Sequence, residues 1–142
     1  MNTTAWSNLS LRKHAVVLLL IVSGSRYCDV RGASWNKHVV HDGEQCLTAV
    51  AADFTGDGKP DIISSSNNTT WLFVNPNWRE VVLGQHPDHS FIHSAVVDVD
   101  GDGDQDYIGA RYSPGLIVWY EQPSKPLKEP WRVRLVDDQV NG

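Results

Sequence analysis

Short apolar runs separated by polar turns follow one another along the chain from residue 34 onward. They are rich in β-branched and aromatic residues, and Gly, Pro, Asn and Ser stand at their ends. Runs of this length and composition, without a helical period, indicate β-strands rather than helices. The pattern therefore predicts an all-β fold, with strands in residues 47–52, 71–74 and 78–83 and in their later counterparts 94–97, 116–120 and 131–136.

The order of these runs repeats. Trp78 and Trp131 open corresponding strands, and Trp35 opens an earlier copy in residues 34–40. The repeating unit has roughly 45–53 residues and about four strands, which is typical of four-stranded β-propeller blades. The predicted organisation is a leader and linker at residues 1–33, repeats at residues 35–77 and 78–130, and a partial third repeat at residues 131–142.

Two such units cannot close a propeller, because closed rings have about four to eight blades. At the observed spacing, a third copy of the loop described next would begin beyond residue 142. The repeat pattern therefore predicts a partial propeller. We expect it to be completed by further blades in a longer chain or by association of several copies.

Two similar acidic stretches lie between paired strands, ADFTGDGKPD at residues 52–61 and VDVDGDGDQD at residues 97–106. Counted from the first Asp, acidic or hydroxyl side chains occupy positions one, three, five and nine, and glycine occupies position six. Calcium binds six to eight oxygen ligands, and glycine lets a tight turn adopt positive φ. The loops therefore predict calcium binding.

Charge distribution supports a cation as the partner of these loops. The loops hold eight of the 17 Asp and Glu residues of a chain whose net charge is −5. No basic stripe or cluster suggests nucleic acid. An EF-hand shares the first nine loop positions, but it needs Glu at position twelve and flanking helices. Ser64 and Gly109 stand there instead, between predicted strands. A solvated hairpin without an ion remains the weaker alternative, because the loop occurs twice in matching context.

The two loops and their flanks resemble the FG-GAP/VCBS-type repeat, the calcium-loop blade of integrin α-subunit propellers. The VWYEQP stretch at residues 118–123 and the strand opened by Trp131 are similar to the variant common in secreted bacterial proteins. The resemblance covers about residues 35–142. It implies one structural calcium ion per loop, two in total. The implied ligands are side chains at positions one, three, five and nine and the carbonyl at position seven: Asp53, Thr55, Asp57, Lys59 and Asp61, and Asp98, Asp100, Asp102, Asp104 and Asp106.

Thr55 departs from the acidic residue usual at position three. The first loop therefore offers three carboxylates where the second offers four. We expect weaker calcium binding at the first loop.

The N-terminus has the pattern of a secretory signal peptide. Arg12 and Lys13 precede an apolar run at residues 15–22, and small polar residues follow it. The run is shorter than the roughly 20 apolar residues of a membrane span. We expect a secreted or cell-surface protein, periplasmic or extracellular, without a membrane span after cleavage. An uncleaved anchor and a misassigned start codon remain alternatives.

Several residues outside the two loops also bear on chemistry and packing. His86, His89 and His93 cluster before the strand predicted at residues 94–97 and are candidates for a metal or acid/base site, although their spacing favours an ordinary polar loop. Cys46, left alone if Cys28 is removed with the leader, is predicted to be a small buried residue.

The recurring Trp residues, with Trp71, Trp119 and Tyr120, are predicted to pack in the core. His38 and His41 are predicted on the surface, and Asn67 and Asn68 begin overlapping glycosylation sequons.

Two functions follow from this pattern. The favoured one is a secreted calcium-stabilised propeller module, not an enzyme, that binds an unknown protein or polysaccharide. The alternative is a fragment of a carbohydrate-active enzyme on a propeller scaffold, such as a polysaccharide lyase or a sugar dehydratase. An enzyme would need a convergent acid/base set, and only the three histidines offer one. No nucleic-acid partner is expected.

Overall fold

The computed structural model describes residues 34, 36–42, 45–87, 90–113 and 115–140. The predicted signal peptide and linker at residues 1–33, including Cys28, lie outside the described residues, as do Trp35 and His89. The chain divides into two compact units, Met1–Asn36 and Lys37–Gly142. The architecture below is that of the second unit.

Among the described residues, eight antiparallel strands form two four-stranded sheets, each in the order of the chain. The first sheet contains β1 (Cys46–Ala52), β2 (Asp61–Ser66), β3 (Thr69–Val74) and β4 (Arg79–Gln85). The second contains β5 (His93–Val97), β6 (Asp106–Arg111), β7 (Leu116–Glu121) and β8 (Arg132–Asp137). Every described element is a strand, so the predicted all-β fold with four-stranded, blade-like sheets is confirmed. Two open sheets fit a partial propeller.

The turn between β2 and β3 shows how local sequence sets strand pairing. Asn67 and Asn68 both have positive φ, 43° and 60°, and Ser66 pairs with Thr69 across them. A two-residue hairpin turn with both central residues at positive φ favours Asn. The overlapping sequons therefore lie at a tight turn, with Asn67 exposed and Asn68 half-buried.

The sheets are offset from the sequence repeats. The strand after Trp78 closes the first sheet as β4, and the strand after Trp131 closes the second as β8. The segment at residues 131–142, predicted as the start of a third repeat, thus contributes the fourth strand of the second sheet. Trp78 itself lies in the turn before β4, with φ of 53°.

The strand predicted at residues 34–40 is wrong for the residues described there. Residues 36–42 have no strand pairing. Both described sheets already have four strands, and residues 37–42 lie instead against the first sheet. There the His41 ring lies 5.4 Å from the Phe73 ring, and His41 Nδ1 lies 2.8 Å from Glu80 Oε1. His38 and His41 are on the surface, as predicted.

The core lies between the two sheets. In the first sheet, Ile63 pairs with Val50 and Leu72, so these side chains share one face. In the second, Tyr107 pairs with Tyr120. Buried members of one apolar cluster come from both sheets and from the loops beside them: Phe54, Ile63, Leu72, Val74, Phe91, Tyr107, Val118, Tyr120 and Trp131.

The predictions for single core residues have mixed outcomes. Tyr120 is fully buried and Trp131 is 6% exposed, with the Trp131 ring 6.0 Å from that of Phe54. Trp71 and Trp119 are half-buried on the faces directed away from this cluster. The prediction that Cys46 is buried is wrong. It is exposed at the first residue of β1, where its side chain points away from the core.

Candidate metal centre

Each acidic loop is the hairpin between the first two strands of a sheet. The first joins β1 to β2 and the second joins β5 to β6. Gly58 and Gly103, at position six of each loop, have φ of 82° and 95°. An L side chain rarely adopts that conformation. The glycine therefore has the conformational role predicted for it.

The first Asp of each loop folds the loop back on itself. Asp53 accepts hydrogen bonds from the backbone amides of Asp57 at 3.0 Å and Gly58 at 2.8 Å. Asp98 accepts them from Gly101 at 2.7 Å and Gly103 at 3.0 Å. In both loops, then, one carboxylate organises the turn through backbone donors.

The ninth residue of each loop is a buried carboxylate. Asp61 is 0% and Asp106 is 1% exposed. One oxygen of Asp106 accepts from the Val99 amide at 3.0 Å and the other from the Gln122 amide at 2.8 Å. Asp61 is arranged in the same way, and its charge is likewise offset by amide donors, which a buried carboxylate requires.

The partners of Asp61 lie at corresponding places. It accepts from the Thr55 amide at 3.0 Å and from the Asn75 amide at 2.9 Å. Asn75 and Gln122 both follow the third strand and precede a proline. The sequence showed these residues only as strand ends. Each residue stands directly before a proline in its repeat, and this shared position was the sequence signal that the two residues have the same role.

The second loop brings three of its predicted ligands together. Oxygens of Asp98, Asp100 and Asp106 all lie within 4.8 Å of one another. No other group of three or more His, Cys, Asp or Glu side chains among the described residues meets that spacing. Asp102 is exposed, and its carboxylate accepts from the Asp104 amide at 2.9 Å.

The first loop has a different charge balance. Lys59 Nζ lies 3.0 Å from Asp57 Oδ2, and the Lys59 amide donates to Asp57 Oδ1 at 2.9 Å. These hydrogen bonds hold the pKa of Asp57 below its usual value. Asp53, Asp57 and Asp61 do not form a cluster like that of the second loop in this part of the chain.

In the second loop the charge is less well compensated. Burial raises the pKa of Asp100, and the nearby charges of Asp102, Asp106 and Glu121 raise it further, although a hydrogen bond from the Asp102 amide opposes them. A bound divalent cation would relieve this repulsion. The donor set consists of carboxylate oxygens, which suits hard cations such as Ca²⁺ and Mg²⁺ rather than zinc or copper.

The histidine cluster does not form a site in the described residues. His86 Nε2 lies 2.7 Å from the Tyr120 hydroxyl, and His93 Nε2 lies 2.9 Å from the Tyr112 hydroxyl. The first pair is at the core and the second is at the exposed end of β5. The two described histidines thus contact different tyrosines at different places.

Comparison with known families gives a match over part of the chain. Residues 53–109 match the model of the FG-GAP-like repeat. This stretch is similar to an FG-GAP-like repeat. The match begins at the first Asp of the first loop and runs through the second loop into β6, so it spans both acidic hairpins and the strands β2 to β5 between them. No curated protein and no solved structure matches the chain.

The match also bears on the class of protein. The FG-GAP-like repeat is a structural and binding repeat of β-propeller type rather than a catalytic one, which agrees with the non-enzyme prediction. Such repeats are typical of extracellular or surface proteins. Among the described residues, no helix is long and apolar enough to cross a membrane.

Proposed function

We propose that the chain is a secreted, calcium-binding β-propeller-type module in which calcium is structural and which binds a protein or carbohydrate partner. The observation that carries the calcium proposal is the Asp98, Asp100 and Asp106 cluster, with its oxygens within 4.8 Å. Three carboxylates this close repel one another unless a cation or protons neutralise them.

The buried carboxylates favour a structural role for the ion. Asp106 joins the loop to the residue after β7 through the Gln122 amide. An ion held by Asp98, Asp100 and Asp106, with Asp102 and the Asp104 carbonyl completing the set, would brace the hairpin against the rest of the sheet. The first loop would use Asp53, Thr55, Asp57, Asp61 and the Lys59 carbonyl in the same way. Binding to the folded state alone stabilises it by about 2.7 kcal/mol per site at 100 times Kd.

Secretion and the binding role rest on other observations. The apolar run at residues 15–22 with its basic flank supports export, and external calcium is concentrated enough to fill weak sites. The FG-GAP-like match supports a binding module.

Thermal unfolding in calcium and in chelator tests the calcium proposal. We expect the melting temperature to fall in EGTA and to recover on adding excess calcium. Asp98→Asn should remove the second loop's share of this difference, whereas Asp138→Asn, on the exposed segment after β8, should leave the whole difference unchanged. An equal melting temperature with calcium and with EGTA would refute the proposal.

A further inference from the structure

The first sheet has a groove on the face directed away from the core. Its volume is about 610 Å³, and it lies between the segment at residues 37–42 and strands β1, β2 and β3. This size is within the range of about 300–1,000 Å³ usual for small-molecule sites. The residues that line it include Ala49, Ile62, Phe73, Cys46 and Ser64.

The internal repeat shows what the corresponding space contains in the second sheet. Asp53 and Asp98 open the two loops, and 98 − 53 gives an offset of 45 residues. The same offset relates Cys46 to Phe91 and Ser64 to Gly109. Phe91 is fully buried. A Cβ built on Gly109 would lie 2.7 Å from the Phe91 ring. Phe91 thus lies directly over Gly109 and fills the space.

The other walls also correspond. Around Phe91, the His86 ring lies 4.8 Å away at 71°, and the Tyr120 ring lies 6.2 Å away at 86°. Both are edge-to-face contacts, the geometry that aromatic rings prefer. The same offset relates His86 to His41, and strand pairing relates Tyr120 to Phe73. His41 and Phe73 line the groove.

The first sheet therefore keeps the aromatic walls and lacks the ring between them. Cys46 stands where the second sheet has Phe91, and its Sγ lies 3.4 Å from Ser64 Oγ. We propose that this groove is a binding site for a small planar aromatic ligand, whose ring takes the place that Phe91 takes in the second sheet.

The proposal adds a ligand class to the binding role suggested above but does not depend on calcium. The groove residues lie on the strands and on the segment at residues 37–42, and none is a predicted calcium ligand. Failure of either proposal therefore leaves the other testable.

Phenol is a suitable probe, because it has one ring and one hydrogen-bonding group. We expect one phenol per chain with a Kd on the order of 1 mM, measured by NMR titration or calorimetry, and equal affinity in calcium and in EGTA. Cyclohexanol, of similar size without the aromatic ring, should bind at least several-fold more weakly.

Filling the groove tests its location. The double variant Cys46→Phe/Ser64→Gly reproduces the Phe91–Gly109 pair of the second sheet. We expect it to lose phenol binding at least tenfold, to melt at a higher temperature than the parent, and to keep the calcium response. Cys46→Ser should keep phenol binding, since it removes the sulfur without filling the space. Leu135→Phe, on exposed β8, should also keep it.

Other results would overturn the proposal. They are the absence of saturable phenol binding, binding that the folded double variant retains, or sedimentation showing that a second copy of the chain covers the groove. Cys46→Leu, a smaller filling substitution, serves if the double variant does not fold. Phenol affinity as strong as the parent's in a folded Cys46→Leu variant would likewise overturn it.

Discussion

The two acidic loops share a hydrogen-bond framework but balance their charge in different ways. In each, the first Asp accepts two loop amides and the ninth Asp is buried between the loop and the residue after the third strand. The first loop places a lysine ammonium against one carboxylate. The second brings three carboxylates together, and Arg134, which has a charge interaction with Asp100, is paired with Glu121 instead.

This contrast separates two roles of the loop motif, which are to hold the hairpin by hydrogen bonds and to bind a cation. The framework contacts need only backbone donors, so they persist in both loops despite the side-chain differences. Calcium binding depends on which oxygen ligands lie close together. At position three, the first loop offers the Thr55 hydroxyl and the second offers the Asp100 carboxylate. We therefore expect the loops to be similar in folding and different in calcium affinity.

The largest expected effect comes from removing the shared framework. Asp61→Ala and Asp106→Ala each leave two amides without a charged acceptor, and hydrogen bonds to charged groups contribute about 1.5–3 kcal/mol each. In EGTA, both variants should lose about 3 kcal/mol or more of the free energy of unfolding, measured by urea denaturation. A large difference between the two in EGTA would break the proposed equivalence of the loops.

The next effect comes from exchanging position three. Thr55→Asp should tighten calcium binding at the first loop, and Asp100→Thr should weaken binding at the second, each by about tenfold, equivalent to about 1.4 kcal/mol. Calorimetry on both variants and the parent measures the two sites. In the same experiment, Asp102→Ala should weaken the tighter site more than Asp57→Ala does. The reverse order would contradict our assignment of the tighter site to the second loop.

Lys59→Gln tests the lysine with a smaller effect on stability. Both partners of the Lys59–Asp57 pair are substantially exposed, and surface ion pairs contribute about 0–1 kcal/mol. We expect the free energy of unfolding in EGTA to change by less than about 0.5 kcal/mol. Lys125→Gln, in another exposed ion pair, is the control. A loss well above that of the control would show that the lysine is a structural part of the loop.

The smallest effect is on proton binding in the calcium-free protein. Because the hydrogen bonds from Lys59 lower the pKa of Asp57, its contribution to stability is present above its unfolded pKa and is lost as pH falls through its folded pKa. Because burial and neighbouring charges raise the pKa of Asp100, its ionisation disfavours folding, and acidification relieves this as pH falls through the raised pKa. Carboxyl NMR titration in EGTA should place the Asp57 midpoint below 3.8 and the Asp100 midpoint above it. Equal titration midpoints for Asp57 and Asp100 would contradict the difference in charge balance between the two loops.

Strand order and loop position were predictable because periodicity and turn residues are local signals. The hairpins at residues 53–61 and 98–106 lie where the repeat predicted them. The start of each sheet was not predictable, because the choice between opening one sheet and closing another depends on pairing partners distant in sequence. For the same reason residues 36–42, which resemble a strand in composition, have no pairing in the described part of the chain.

The sequence predicted which residues belong to the candidate site, but not which of their side chains lie close together. The motif indicated all five second-loop residues, yet the structure brings Asp98, Asp100 and Asp106 together and leaves the Asp102 side chain exposed. Cys46 illustrates the opposite limit. Its exposure could not be inferred from residue type, because it depends on the absence of the aromatic ring that fills the corresponding place in the second repeat.

The buried carboxylates Asp61 and Asp106 also make the site observable from a distance. The Asn75 and Gln122 amides donate to them from turns that lie 14 and 16 residues along the chain. Their hydrogen-exchange rates should therefore slow when the loops are occupied, although neither residue belongs to a loop. These two amide protons give each hairpin its own reporter, so that filling of the two loops can be followed separately in a single titration.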